Sequence, residues 1–155
     1  MKTVGRRLSL IPGVHRATHR IGLFLDAAQP SLNVTQGEAH LLAHLMEAGT
    51  SSVAELHRAF AHKRSSLTTY LDRLEAQGRI VRAPHPEDRR SFLVSLTAAG
   101  SAAASRVHRR LSSLEVAALR RLGARELQAL RSGLQALQEA TEPPLQPPRK
   151  RGASR

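Results

Sequence analysis

Leu67, Leu71 and Leu74 recur at spacings of four and three, while Ser65, Ser66, Thr69 and Arg73 gather on another arc of the same wheel. That spacing predicts an amphipathic helix that buries leucines and presents small hydrogen-bonding side chains. Gly78 is placed to end it, because glycine enters the left-handed region that helix C-termini use. Beyond it, Ile80-Val81 and the alternating Phe92-Leu-Val-Ser-Leu96 predict two short strands joined by the turn-rich, arginine-tipped segment Pro84-His-Pro-Glu-Asp-Arg-Arg-Ser91. Upstream, Ile11, Val14, Ile21 and Leu25 form the stripe of a first helix from about Leu8 to Ala28, with Pro12 limiting its start and Pro30 closing it. Thr35-Gln-Gly-Glu38 has the capping-box pattern that opens a second helix, with Leu41, Leu42, Leu45 and Met46 expected on its buried side. Gly49-Thr-Ser-Ser reads as a turn, and Ser52-Val-Ala-Glu55 repeats the start signal before a short helix carrying Leu56 and Phe60. Downstream, Thr97 opens a long helix carrying Val107, Leu111, Leu114 and Ala118. Gly123 punctuates it, and Leu127, Leu130, Leu134 and Leu137 make one stripe on a last helix.

The predicted fold is mainly α with a small β-wing: a helix-turn-helix followed by a wing, flanked by further helices. At 155 residues the chain fits a single domain. We expect that domain over 1–141, with 35–97 as the winged helix-turn-helix and 1–34 and 98–141 as dimerisation helices. The wide leucine stripe of the last helix predicts burial against something beyond its own neighbours, for which a second subunit is the candidate. Residues 142–155, with Pro143, Pro144, Pro147 and Pro148 followed by Arg149-Lys-Arg151, cannot build a packed core and read as a disordered basic tail.

Charge sharpens the picture. A formal net charge of +12 favours anionic polymers, through phosphate neutralisation and counterion release. Aromatic residues are only 3%, too few for the stacking platforms of single-strand and RNA binders, so duplex DNA is the expected partner. The chain has no cysteine, which excludes disulfides, thiolate metal sites and thiol-based oxidant sensing. No apolar run approaches the roughly 18 residues of a membrane span, and the N-terminal segment lacks the core of a signal peptide, so a cytoplasmic location without membrane attachment is expected. Neither a Cys-His pair, a phosphate-cradling glycine loop nor a carboxylate cluster is present, and enzymatic activity is not expected.

The run Leu67-Thr-Thr-Tyr-Leu-Asp-Arg-Leu-Glu75, then Gly78, an arginine, Asp88-Arg-Arg90 and Leu96-Thr97, resembles the MarR family of winged helix-turn-helix regulators, whose pattern it matches in order. His57 after Leu56, and His62-Lys-Arg64 where an N-cap is usual, depart from that pattern. The resemblance implies a homodimeric transcriptional repressor that binds a palindromic operator and responds to a small anionic or phenolic effector. Under that reading His62, Ser65, Ser66, Thr69 and Arg73 enter the major groove, Lys63 and Arg64 hold phosphates, and the wing offers Arg90 to the minor groove and Arg89 to phosphate. Asp88 would orient Arg90. His15, Arg16, His19, Arg20 and His108 are the cationic or switchable groups expected near the effector crevice. The pairs His15/His19 and His40/His44 have the i,i+4 spacing by which two imidazoles share a metal, against which stands their simpler reading as polar helix surface, and no cofactor is expected. Two alternatives stay open: a nonspecific architectural DNA-binding protein and a metal-responsive regulator.

Overall fold

A computed structural model of the chain describes residues 8–28, 33–60 and 64–141. Pro30, His62, Lys63 and the basic tail 142–155 lie outside the described residues. Two compact units divide the chain, Met1–Ser113 and Leu114–Arg155.

In the first unit, α1 (Ile11–Ala28) begins three residues after the expected Leu8. Pro12 is tolerated only in a first turn, where its missing N–H has no helical partner to lose. Of the expected stripe, Ile11 is exposed and Val14, Ile21 and Leu25 are half-buried. α2 (Gln36–Ala48) opens as the capping box requires: the Thr35 hydroxyl accepts from Glu38 N, and the Thr35 N–H donates to Glu38 Oε2 at 2.8 Å. Leu41, Leu42 and Leu45 are buried, but Met46 is 44% exposed, because it falls in the last turn beyond the edge of the core. α1 approaches α2 closely at Gly22, where a Cβ would stand 2.7 Å from Gln36 Oε1, and Gln36 Nε2 donates to Thr18 O at 3.1 Å.

Gly49-Thr-Ser-Ser is more than a turn. Ser51–Ser52 form β1, paired antiparallel with Val94 and Leu93, so the sheet has three strands in the order β1-β3-β2, where β2 is Ile80–Pro84 and β3 is Phe92–Leu96. Ser52 also caps α3 (Val53–Phe60): its N–H donates to Glu55 Oε2 at 2.7 Å, and its hydroxyl accepts from Glu55 N at 3.2 Å. The backbone N–H and the hydroxyl of Ser52 together hold the Glu55 carboxyl below the usual carboxylate range.

α4 (Arg64–Ala76) buries Leu67, Leu71 and Leu74 beside Leu56, Ile80 and Val94, as its period predicts. It ends in a Schellman motif. Gly78, at φ +67°, donates to Glu75 O at 2.8 Å, and Arg79 N donates to Leu74 O at 2.9 Å. That turn docks on the start of α5 (Ala98–Leu119). Thr97 N donates to Arg79 O at 3.0 Å, the Thr97 hydroxyl donates to Gly78 O at 2.6 Å, and Gly100 N donates to Thr97 Oγ1 at 3.0 Å. A Cβ at Gly100 would stand 1.7 Å from the Arg79 carbonyl oxygen, so only glycine lets helix and turn approach so closely. Ala103, Ala104 and Val107 of α5 complete the core.

α5 continues past Ser113 into the second unit, which also holds α6 (Ala124–Thr141). The start of α6 is fixed by Glu126, whose carboxylate accepts the Gly123 N–H at 2.7 Å. No residue of α6 is buried; Leu130 and Leu134 are 48% and 42% exposed.

Candidate nucleic-acid interface and an adjoining crevice

α4 turns its leucines inward, which leaves Ser65, Thr68, Thr69 and Asp72 exposed on the opposite arc. Thr69 Oγ1 donates to Ser65 O at 2.9 Å, so its oxygen keeps only acceptor capacity toward anything outside the helix. Ser66 is half-buried. His62 and Lys63 lie outside the described residues, as does the side chain of Arg64, the first residue of α4.

Arg73 departs from the expected strip. Its Nε lies 2.9 Å from Oε1 of Glu38, an ionic contact between α4 and a carboxylate with no solvent exposure. The helical wheel places Arg73 next to Ser66, but α2 packs on that side and offers a carboxylate, a strong partner for a guanidinium.

Two carboxylates on the other side of α4 are tied to the wing. Arg82 of β2 pairs with Asp72 and, at 2.9 Å, with Glu75. The pair sits one turn apart on the helix, so one guanidinium from the strand reaches both. One positive charge offsets part of the paired negative charge that would repel phosphate, and the wing is tied to the helix. Arg82→Met keeps the length of the side chain and removes the clamp. A modest fall in melting temperature and a duplex affinity about tenfold lower are expected from thermal unfolding and fluorescence anisotropy, the latter reflecting both a loosened wing and two bared carboxylates.

The wing tip is closed by its own backbone. His85 N donates to Ser91 O at 3.0 Å, Ser91 N to Asp88 O at 2.9 Å, and Arg90 N to Asp88 Oδ1 at 3.0 Å. Asp88 thus orders the turn through the Arg90 N–H, an Asx turn, and leaves the Arg89 and Arg90 side chains exposed.

A crevice of about 390 Å³ opens on the far side of Arg73, within the first unit. It is lined by Leu25, Asp26, Val34, Thr35, Arg73 and Arg110, among others. None of His15, Arg16, His19, Arg20 or His108 lines it. The four α1 residues are exposed, and His108 Nε2 lies 2.9 Å from Glu47 Oε1. His44 stands edge-on to Phe60, with ring centroids 5.2 Å apart, and among the described residues no group of three or more His, Asp or Glu side chains is placed to hold a metal ion. No described helix is long and apolar enough to cross a membrane. Sequence reasoning missed Arg82, Glu38 and Arg110. Asp72 and Glu75 sharing one helix face was a signal for Arg82, whereas Glu38 was legible only as a cap.

Residues 34–92 match the model of the MarR family. The multiple antibiotic resistance protein MarR of Salmonella typhimurium is 35% identical over 79 residues, which make up 51% of this chain and 55% of that protein. The chain thus spans about half the length of the curated relatives it matches. Among solved structures, a mutant MarR from E. coli complexed with operator DNA is similar at a TM-score of 0.69 and 26% identity, over 83% of this chain and 92% of that one. NadR in complex with 4-hydroxyphenylacetate is similar at a TM-score of 0.73 and 27% identity, over 92% and 100%.

Proposed function

Since residues 34–92 of this chain match the MarR family, we propose that it is a transcriptional regulator of that family that binds double-stranded DNA as a homodimer and releases it in response to a small acid. The observation that carries the reading is the Arg82 clamp, which joins a helix presenting small hydroxyl side chains to a wing presenting two exposed arginines. His62, Ser65, Ser66 and Thr69 read base edges in the major groove, while Lys63 and Arg64 hold phosphates. Arg90 enters the minor groove, Arg89 holds phosphate, and Arg73 positions α4 from behind. The module is 35–97, and the helices on either side join two copies. Apolar side chains left exposed support that role: Leu8, Leu10, Ile11 and Leu23 in and before α1, and Val116, Leu130 and Leu134 in the second unit. A two-fold dimer reads an imperfect palindrome, and a regulator seated on a palindrome within a promoter represses by occupying it. The protein acts in the cytoplasm and is not an enzyme.

Similarity to a MarR–operator complex supports the DNA partner, and similarity to a NadR–4-hydroxyphenylacetate complex supports an acidic effector. The alternative, a nonspecific architectural protein, predicts a different result in one experiment. In anisotropy competition at fixed salt, a duplex from upstream of the chain's own gene should displace labelled probe at a concentration roughly 100-fold or more below that of random duplex. Equal displacement would favour the architectural reading.

A further inference from the structure

The Thr69 hydroxyl donates to Ser65 O at 2.9 Å, and that bond limits what Thr69 can recognise. A hydroxyl has one proton to give, and here it is committed inside the helix, so the oxygen can only accept from a docked base. Turning the proton outward would break the bond and leave a carbonyl lone pair unmatched where the duplex has expelled water. Accepting from a base leaves every bond of the helix intact. Ser65, one turn earlier and also exposed, commits its hydroxyl to no partner among the described residues. It can give or accept, and so discriminates little.

Asp72 follows Thr69 on the same arc, its side chain 59% exposed. Arg82 holds its Oδ1, and a carboxylate has further lone pairs but no proton to give. From Thr69 to Asp72, then, the exposed middle of α4 offers acceptors. Base edges in the major groove differ in what they return: adenine N6 and cytosine N4 are donors there, whereas guanine O6 and thymine O4 are acceptors. An oxygen set against an oxygen forms no hydrogen bond and is repelled.

Resting on the regulator reading above, we propose that Thr69 fixes the orientation of one base pair in each half-site: the strand facing its oxygen carries an amino base, adenine or cytosine, read through the exocyclic amine. Inverting that pair puts a keto oxygen against the lone pairs of Thr69 and Asp72. The wing arginines address the minor groove and phosphate, so this choice falls to α4.

Selection from a random duplex pool with full-length wild type and Thr69→Val, followed by anisotropy on the recovered sequence, tests the contact. Valine has the shape of threonine without the oxygen, and the bond it loses lies at the surface, so this variant should melt at the wild-type temperature. It should relax one position per half-site and keep the others. At that position, 2-aminopurine in place of adenine keeps the pair with thymine but moves the amine to the minor groove, and 2-pyrimidinone in place of cytosine removes the amine. Either replacement, or inversion of the pair, should weaken wild type by about three- to tenfold, the size of one hydrogen bond, and leave Thr69→Val nearly unaffected. Thr69→Ser keeps the oxygen and should respond as wild type does. The contact is overturned if Thr69→Val selects every position as sharply as wild type, if loss of the amine weakens both proteins by the same factor, or if Thr69→Ser relaxes the position as valine does, since the methyl group would then be what is read. A pool with no enriched sequence would defeat the regulator reading and this contact with it, whereas an inverted repeat recovered alike by wild type and Thr69→Val defeats the contact alone.

Discussion

Gly100→Ala is expected to cost about 3–5 kcal/mol of stability, which lowers the melting temperature by roughly 6–20 °C. The new Cβ would stand 1.7 Å from the Arg79 carbonyl oxygen, and that oxygen belongs to backbone which cannot rotate aside. Arg79 O already accepts the Thr97 N–H, and the Thr97 hydroxyl in turn holds Gly78 O, so retreat of the turn breaks the whole junction between α4, β2 and α5. Gly133→Ala is the matched control. Its Cβ would meet nothing within 4 Å, and alanine is the better helix former, so this variant should unfold at the wild-type temperature or slightly above. Thermal unfolding by circular dichroism decides, and equal melting temperatures for Gly100→Ala and wild type would contradict the junction described.

The second large effect concerns affinity. Arg90→Ala should weaken duplex binding by about 10- to 100-fold, near 1–3 kcal/mol, with no change in melting temperature. The separation of the two effects follows from the turn: Asp88 holds Arg90 by its N–H, which alanine retains, while the guanidinium is exposed. Arg89→Ala should act differently. A phosphate contact weakens all sequences alike and lowers the slope of log affinity against log salt by about one. Anisotropy titrations over a salt series distinguish the two, and an Arg90→Ala affinity equal to wild type would remove this residue from the interface.

Features set by neighbours in the chain were legible before any coordinates. Leucine spacing in α4, both capping boxes and the left-handed Gly78 are local, and each is present as expected. Ser51–Ser52 was not legible, because two serines carry no alternation; their strand exists only through Val94 and Leu93, some forty residues on. The candidate site divides along the same line. A helical wheel assigns Arg73 an angle, but not the buried Glu38 that waits at that angle on another helix. Arg82 sits in a strand whose period gives its face, yet its two partners come from α4. The crevice is the extreme case. Arg110 enters it from α5 and Arg73 from α4, whereas the exposed cations of α1, conspicuous in the sequence, stay outside it.

If two copies of this chain read a specific duplex sequence through α4 and the wing, the full-length protein must select that sequence from a random pool of duplexes at fixed salt. Recovered sequences should share an inverted repeat whose half-site centres lie about one helical turn, roughly 10–10.5 base pairs, or a multiple apart. A bound pool with no sequence enriched over the input would contradict it.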